Sequence, residues 1–172
     1  MTYAVRPPRP SDAPALGRLH TRIWRETYGH LMTPEALAAL DDGGATARWE
    51  QWIGAADEEG FLPRGGRVLV GVDADDVPVG FIIAGPPRDE DPPVDWQLSA
   101  LNVLPEHHGT GLAQRLLAEG LGDRAAYLWV ARGNERAIRF YRKHGFELDG
   151  AEQRDEEGIT ELRMVRGEQR AH

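Results

Sequence analysis

The stretch LPEHHGTGLAQRLL, residues 104 to 117, sets two histidines and two glycines between an apolar segment and an apolar, helix-like one. Three uses fit those residue types: a metal site, an anion cradle, or a plain strand-to-helix turn. Zinc sites built on a helix place their histidines four residues apart, on one face. His107 and His108 are adjacent and so point apart, and His20, His30, His144 and His172 stand at no ligand spacing to them or to one another. No metal is expected. An anion cradle uses the unpartnered N–H groups and the partial positive charge of a helix N-terminus. Glycines ahead of the helix let a phosphate approach those amides, and Gly109, Thr110 and Gly111 occupy that place. A plain turn asks for the same glycines, because they adopt positive φ at no steric cost. This stretch alone leaves cradle and turn both open. Neither GxxxxGK[ST] nor GxGxxG occurs, so a P-loop or dinucleotide fold has no support.

A second stretch, LWVARGNERAIRFYRKHGFE at 128 to 147, follows after one further strand. Together the two resemble the GNAT superfamily, the acyl-CoA-dependent N-acetyltransferases. That family carries a turn of pattern Gln/Arg-x-x-Gly-x-Gly/Ala whose amides bind the coenzyme A pyrophosphate. The matching positions are His108, Gly109, Thr110, Gly111, Leu112 and Ala113. The family also carries Asn-x-x-Ala-x-x-Phe-Tyr-x-Lys-x-Gly-Phe, matched by Asn134, Ala137, Phe140, Tyr141, Lys143, Gly145 and Phe146. RPSDAPALGRLHTRIWRETY, residues 9 to 28, is similar to the family's N-terminal helix more loosely. The strong likeness spans residues 96 to 147, the weaker one nearly the whole chain. His108 departs from the pattern, standing where the family has Gln or Arg. Binding through backbone amides survives that change. A histidine donates a hydrogen bond and, once protonated, adds charge, so coenzyme affinity is expected to vary with pH.

The resemblance implies the rest of a site for acyl transfer to an amine, with acetyl-CoA as cosubstrate. Amides near Asn102 and Val103, at the end of the central strand, would hold the pantetheine and polarise the thioester carbonyl, as fixed N–H donors at an oxyanion do. Asn134 would contact the coenzyme arm, a role compatible with capping its own helix. Tyr141 would protonate the departing thiolate; a phenol's reference pKa lies near 10, slightly above a thiol's. Many family members carry a glutamate base on the central strand, six residues before the position of Val103. Gln97 stands there and takes no proton, though it could order a water chain to solvent. Asp95 is two residues away. Ser99, in QLSAL, lacks the sharp glycine turn of a serine nucleophile, and with no cysteine in the chain direct attack within a ternary complex is the natural route. The acceptor pocket of such enzymes comes from early helices and late strands, so Trp24, Tyr28, Asp149 and Glu161 are candidates to line it.

The elements that must position these residues follow from local pattern. YAVRP (3 to 7) reads as a short strand ended by prolines. Ser11 caps a helix running to about Tyr28, with Leu16, Leu19, Ile23 and Trp24 at helical spacing. Thr33 and Pro34 open another, over 33 to 40, and ATARWEQWIGAA (45 to 56) reads as a third. RVLVGV (67 to 72) and VGFIIAG (79 to 85) are β-branched runs that predict an antiparallel hairpin. The proline-rich, charged PPRDEDPPV (86 to 94) predicts a loop. Strands at 96 to 104, 126 to 132 and 160 to 166 alternate with helices at 111 to 121 and 134 to 145. The expected fold is α/β (α+β): one domain over 1 to 172 with a central mixed, mostly antiparallel sheet flanked by helices.

Composition narrows the function classes. At 172 residues, with a 41% hydrophobic and 28% charged make-up, the chain has material for a core. A net charge of −8 argues against nucleic acid as a partner. The longest apolar run, AAYLWVA at 125 to 131, is too short to span a bilayer, and the N-terminus has no apolar core of an export signal; a cytoplasmic protein is expected. A small-molecule amine is the expected acceptor, and a homodimer is compatible with the resemblance, though no residue specifies it. The rival classes are a peptide-modifying acetyltransferase with an open groove, an acyl-CoA sensor that keeps the cradle without turnover, and a nucleotide-binding module.

Overall fold

The computed structural model describes residues 2–167. Its strands are β1 (Ala4–Arg6), β2 (Arg67–Val72), β3 (Pro78–Gly85), β4 (Gln97–Val103), β5 (Ala126–Ala131), β6 (Glu147–Arg154) and β7 (Thr160–Arg166). Its α-helices are α1 (Ala13–Ile23), α2 (Pro34–Ala39), α3 (Asp42–Ala55), α4 (Leu112–Gly120) and α5 (Glu135–Lys143). The strands form one sheet in the order β1-β2-β3-β4-β5-β7-β6. Every neighbouring pair is antiparallel except β4 and β5, which are parallel. The mixed, mostly antiparallel sheet is therefore the one expected.

Layering follows from side-chain character. Strands β2 and β3 lie in the middle of the sandwich and are buried almost throughout, which is why they read as unbroken apolar runs rather than alternating ones. One face packs Val68, Val70, Phe81 and Ile83 against Leu16, Leu19 and Ile23 of α1 and Trp49 and Ile53 of α3. The other packs Leu69, Ile82, Leu98 and Leu128 against Leu112, Leu116 and Leu117 of α4 and Ile138 of α5. A third, smaller cluster of Met32, Ala131 and Ile159, with Trp24 and Tyr28 against it, ties the end of the first helix to the tips of β5 and β7. Among the described residues no helix is long and apolar enough to cross a membrane.

Four local outcomes depart from the sequence pattern. Ser11 does not cap the first helix: it lies within a 3-10 turn over Pro10–Asp12, where the Asp12 carboxylate accepts from the Arg9 amide at 2.7 Å, and α1 begins at Ala13. The first helix does not stay α-helical to Tyr28: from Trp24 to Tyr28 it widens into a π-helical turn. Helix α3 begins at Asp42, three residues early, because both carboxylate oxygens of Asp41 accept from the amides of Gly43 and Gly44, at 2.9 and 3.2 Å. The sequence pattern also predicts no strand between α5 and residue 160, yet β6 occupies 147 to 154. It is an edge strand, exposed along nearly all of its length and interrupted by a bulge between Leu148 and Glu152. With one neighbour and no buried face, ELDGAEQR has no reason to show the apolar alternation by which strands are recognised.

Candidate active site

The parallel pair holds the opening. Strands β4 and β5 share a single register pair, Gln97 with Tyr127, and the Tyr127 amide donates to the Trp96 carbonyl at 3.0 Å. On its other side β4 pairs with β3, where Ile83 faces Ala100 and Ala84 faces Leu98, leaving Ser99 as an extra residue. Such a bulge bends its strand and raises the local twist, and past it β4 leaves β5. The gap opens into a cavity of about 560 Å³ lined by β4 from Leu98 to Val103 and β5 from Leu128 to Ala131. Asn102 and Val103 line the cavity; Asn102 pairs with Phe81 of β3, and the Val103 carbonyl accepts from His108.

At one end of the gap lies the turn that the glycines build. Gly109 and Gly111 take φ of +74° and +86°, the left-handed region. A Cβ on Gly109 would meet nothing within 4 Å, and one on Gly111 only the Gln114 Oε1 at 3.7 Å. Crowding therefore does not demand these glycines; the backbone path does, and it leaves the space above the amides open. Gly111 is the N-cap of α4. Among the described residues, the N–H groups of Gly109, Thr110, Gly111, Ala113 and Gln114 have no backbone partner. The helix start is fixed from below, since Leu112 sits 2.8 Å from where a Cβ on Gly71 of β2 would lie. Thr110 braces the turn by donating to the His107 carbonyl at 2.7 Å. This geometry suits a diphosphate.

The two histidines serve the turn separately. His107 Nδ1 meets the Tyr3 hydroxyl at 2.8 Å. His108 Nε2 lies 2.8 Å from the Val103 carbonyl and its Nδ1 contacts an Arg136 guanidinium nitrogen. A carbonyl only accepts and a guanidinium only donates, so both contacts together require the neutral ring with its proton on Nε2. His108 thus straps the end of β4 to the first turn of α5 and sets Arg136 beside the cradle.

The middle of the cavity belongs to α5 and the π-helical turn. Asn134 caps α5 through Oδ1, which accepts from the Ala137 amide at 3.3 Å. Its side-chain NH₂ is then left to face the Tyr28 hydroxyl, whose pKa it lowers. Tyr141, two turns along the helix, also lines the cavity. Burial drives the Tyr141 phenol well above its ordinary value, and the neighbouring Tyr28 adds to the rise. Burial likewise raises Tyr28, the Asn134 hydrogen bond opposes that rise, and the charge of Glu161 adds to it. Both phenols therefore keep their protons at neutral pH.

The far end is walled by aromatic and charged side chains from separate segments. The π-helical widening turns Trp24, Glu26, Thr27 and Tyr28 all to the cavity, a placement for which such bulges are common at functional sites. His20 lies between the rings of Trp24 and Phe81, at 6.4 and 5.9 Å. Its Nδ1 is buried without a partner, and burial, then Arg48, lowers its pKa to about 4. Glu161 of β7 lines the same wall and accepts from Gln153 Nε2 at 2.9 Å. Burial raises its carboxyl above the usual range, the Gln153 bond opposes this, and Asp155, Glu157 and Asp89 add to it.

Several expected residues fall elsewhere. Gln97 does not line the cavity. It is buried, and its Oε1 accepts from the Arg88 amide at 2.9 Å and the Tyr127 hydroxyl at 3.2 Å. It thereby anchors the 86 to 96 loop, whose Asp89 also accepts from Trp129 Nε1 at 2.9 Å. With its carboxamide oxygen committed to two buried donors and its side chain outside the lining, Gln97 serves as a loop anchor. Asp149 likewise lies outside the lining; it pairs with Arg163 at 2.7 Å. Asp95 is exposed and also outside. Trp24, Tyr28, Asn102, Val103, His108, Ala113, Asn134, Tyr141 and Glu161 do converge on the cavity. Arg88, Trp129, Arg136 and Asp155 line it too, and sequence pattern does not find them. The dense charge of PPRDEDPPV and of RDEEG was the only available sign.

Comparison with known proteins agrees with this arrangement. Residues 16–146 match the family described as acetyltransferase (GNAT) family. Two curated relatives come from Mycobacterium tuberculosis. One, named Probable N-acetyltransferase Rv2775, is 28% identical over 85% of this chain and 80% of its own length. The other, named Uncharacterized N-acetyltransferase Rv2669, is 29% identical over 81% of this chain and 86% of its own. Among solved structures, the PaiA N-acetyltransferase of Thermoplasma acidophilum in complex with coenzyme A shares the fold, with a TM-score of 0.74 at 20% identity over 98% of this chain and all of that one. Arabidopsis thaliana NAA60, in complex with a bisubstrate analogue, shares it with a TM-score of 0.66 at 18% identity, over 96% of this chain and 98% of that one. With most of its length matched by the family, and with a strand gap and glycine turn arranged for acyl transfer, the chain belongs to the GNAT acetyltransferase family and is an acyltransferase.

Proposed function

We propose that this chain transfers the acetyl group of acetyl-CoA to a primary amine on a small molecule, in the cytoplasm where coenzyme A thioesters are available, by direct attack within a ternary complex. One juxtaposition carries the reading. A single continuous cavity has at one end His108 and Ala113, which flank the glycine turn of Gly109, Thr110 and Gly111, an aromatic and acidic wall at the other, and Tyr141 between them. The diphosphate binds at the turn, with Leu112 and Ala113 presenting the first helical amides and Arg136 alongside. The pantetheine runs along the free side of β4, where amides near Asn102 and Val103 hold it and polarise the carbonyl. Asn134 steadies the arm from the start of α5.

The amine enters past Trp24 and Tyr28. Its lone pair attacks the thioester carbon, the C–S bond breaks, and the sulfur takes a proton from Tyr141. A phenol with a raised pKa remains protonated until needed. The same desolvation that raises it also raises the pKa of the leaving thiolate, so the transfer stays feasible. A small acceptor is favoured because the π-helical turn, the 86 to 96 loop and the tip of the β6–β7 hairpin all contribute side chains to the wall.

The test is thiol release from acetyl-CoA across a panel of spermidine, phenylethylamine, lysine, kanamycin and short peptides, with melting curves in the presence of coenzyme A. Release that depends on one of the small amines and is cut at least about a hundredfold by Tyr141→Phe, with the coenzyme-induced melting shift intact, is the expected result. Release with peptides alone would replace the small acceptor by a peptide, and a melting shift with no release on any amine would make the chain a sensor.

A further inference from the structure

We propose that Glu161, on β7, takes the proton from the incoming ammonium, standing in for the carboxylate that β4 lacks at Gln97. This rests on the amine-acetylating reading above. Three carboxylates line the cavity: Glu26, Asp155 and Glu161. Glu26 is exposed and paired with Arg22 at 3.0 Å. Asp155 belongs to the β6–β7 turn, where its Oδ1 accepts from the Ile159 amide at 2.8 Å. Glu161 accepts only from Gln153, through Oε2, and among the described residues no donor reaches Oε1. Its strand position is also apt, since it pairs with Ala131, the last residue of β5, beside the open gap.

The groups around Glu161 leave its charge uncompensated. Asp155 and Glu157 face it from the β6–β7 turn, Asp89 from the 86 to 96 loop, and Tyr28 from the π-helical turn. Two of the cations nearby are engaged: Arg163, two residues along β7, pairs with Asp149, and Arg132, after β5, pairs with Glu152. Arg88 lines the cavity from the loop. A half-buried carboxylate in this setting attracts a cation and binds a proton more readily than an exposed one. The protons balance. An ammonium loses two in becoming an amide. The first passes to Glu161 and then to solvent, freeing the lone pair. The second leaves the nitrogen after attack and replaces the one that Tyr141 gives to the sulfur.

The experiment compares wild type with Glu161→Gln, an isosteric change, using the best acceptor of the panel and an analogue fluorinated beside the amine carbon. With a trifluoromethyl group at that position the amine is already mostly neutral at pH 7 and needs no base for its first proton. The expected result is a loss in kcat/KM of about a hundredfold on the parent amine, little loss on the fluorinated one, and disappearance of the acidic limb of the pH profile. The melting shift with coenzyme A should not change. Glu161→Asp, which keeps the carboxylate on a shorter arm, should retain the limb at reduced rate, and Asp155→Asn, which removes a neighbouring negative charge, should keep the limb and move it to lower pH. Equal losses on both amines with the limb intact would overturn the assignment, as would no loss on either. Failure of wild type to acetylate any amine would refute the underlying reading instead, and this one with it.

Discussion

The two ends of the cavity are made differently. The donor end is backbone: a glycine turn, the first amides of α4 and the unpaired side of β4. The acceptor end is side chain: Trp24, Tyr28, His20, Arg88, Trp129 and Glu161 arrive from four separate segments. A backbone site recognises what is common to every coenzyme A thioester and has little to vary. A side-chain site can be rebuilt for a new amine by changing one segment while the cradle stays as it is. The donor end should therefore break through backbone geometry, the acceptor end through charge and burial, and damage at one should leave the other readable.

The largest effect expected is at the donor end. Gly111 holds φ near +86° at the N-cap of α4. A valine there costs about 1–2 kcal/mol for the left-handed conformation, and its branches enter the space over the amides. Gly111→Val should weaken coenzyme A binding by at least about a hundredfold in calorimetry, since each lost 1.4 kcal/mol is about tenfold. The amine-side ring stack and its response to pH should persist. If binding survives, the amides of this turn do not hold the diphosphate.

At the acceptor end the corresponding lever is His20. Its folded pKa of about 4 lies below the ordinary 6.5, so between those values the unfolded chain binds more protons than the folded one. The stabilisation from keeping the ring neutral is complete above pH 6.5 and is lost as pH falls toward 4. With the ring partly open to the cavity, we expect a loss of about 2 kcal/mol at the acid end, or about 6 °C in melting temperature. His20→Phe keeps the stack between Trp24 and Phe81 and removes the titration. Its melting temperature should fall less steeply than wild type from pH 6.5 to 4; parallel curves would mean that the ring does not stay neutral.

These contrasts also explain what was legible in the sequence. The hairpin of β2 and β3 and the packing faces of α1 and α4 were readable because burial selects apolar and β-branched residues at fixed spacing. The cradle was readable because a backbone path with positive φ demands glycine in full view. The acceptor wall was not, since nothing local tells Arg88, Tyr28 and Glu161 that they will meet. Strand β6 was missed because an edge strand with no buried face carries no pattern. Gln97 misled for a further reason. Counting by twos back from Val103 puts it on the same face, but the extra residue at Ser99 breaks the alternation, and its side chain turns to the loop.

Between the two ends, the 86 to 96 loop depends on that carboxamide. Gln97→Leu leaves the Arg88 amide and the Tyr127 hydroxyl without their acceptor. Each orphaned donor is costly, and we expect about 1.5 kcal/mol of lost stability with a raised KM for the amine. Coenzyme affinity should hold. An equal rise in both would mean that the loop shapes the donor end as well.

The smallest effect is the most informative about how the ends are joined. Asn134 works in both directions at once: Oδ1 caps α5, which carries Tyr141, and the NH₂ reaches Tyr28 on the acceptor wall. Asn134→Ala should cost about 1 kcal/mol of stability, the ordinary value of an N-cap, and raise the KM for the amine. Asn134→Ser separates the two roles. A serine hydroxyl caps as well as an asparagine, but it is too short to donate to Tyr28. The serine variant should therefore recover the melting temperature without recovering the KM. If stability and KM instead return together, the bond to Tyr28 contributes nothing to acceptor binding, and the cap alone accounts for the residue.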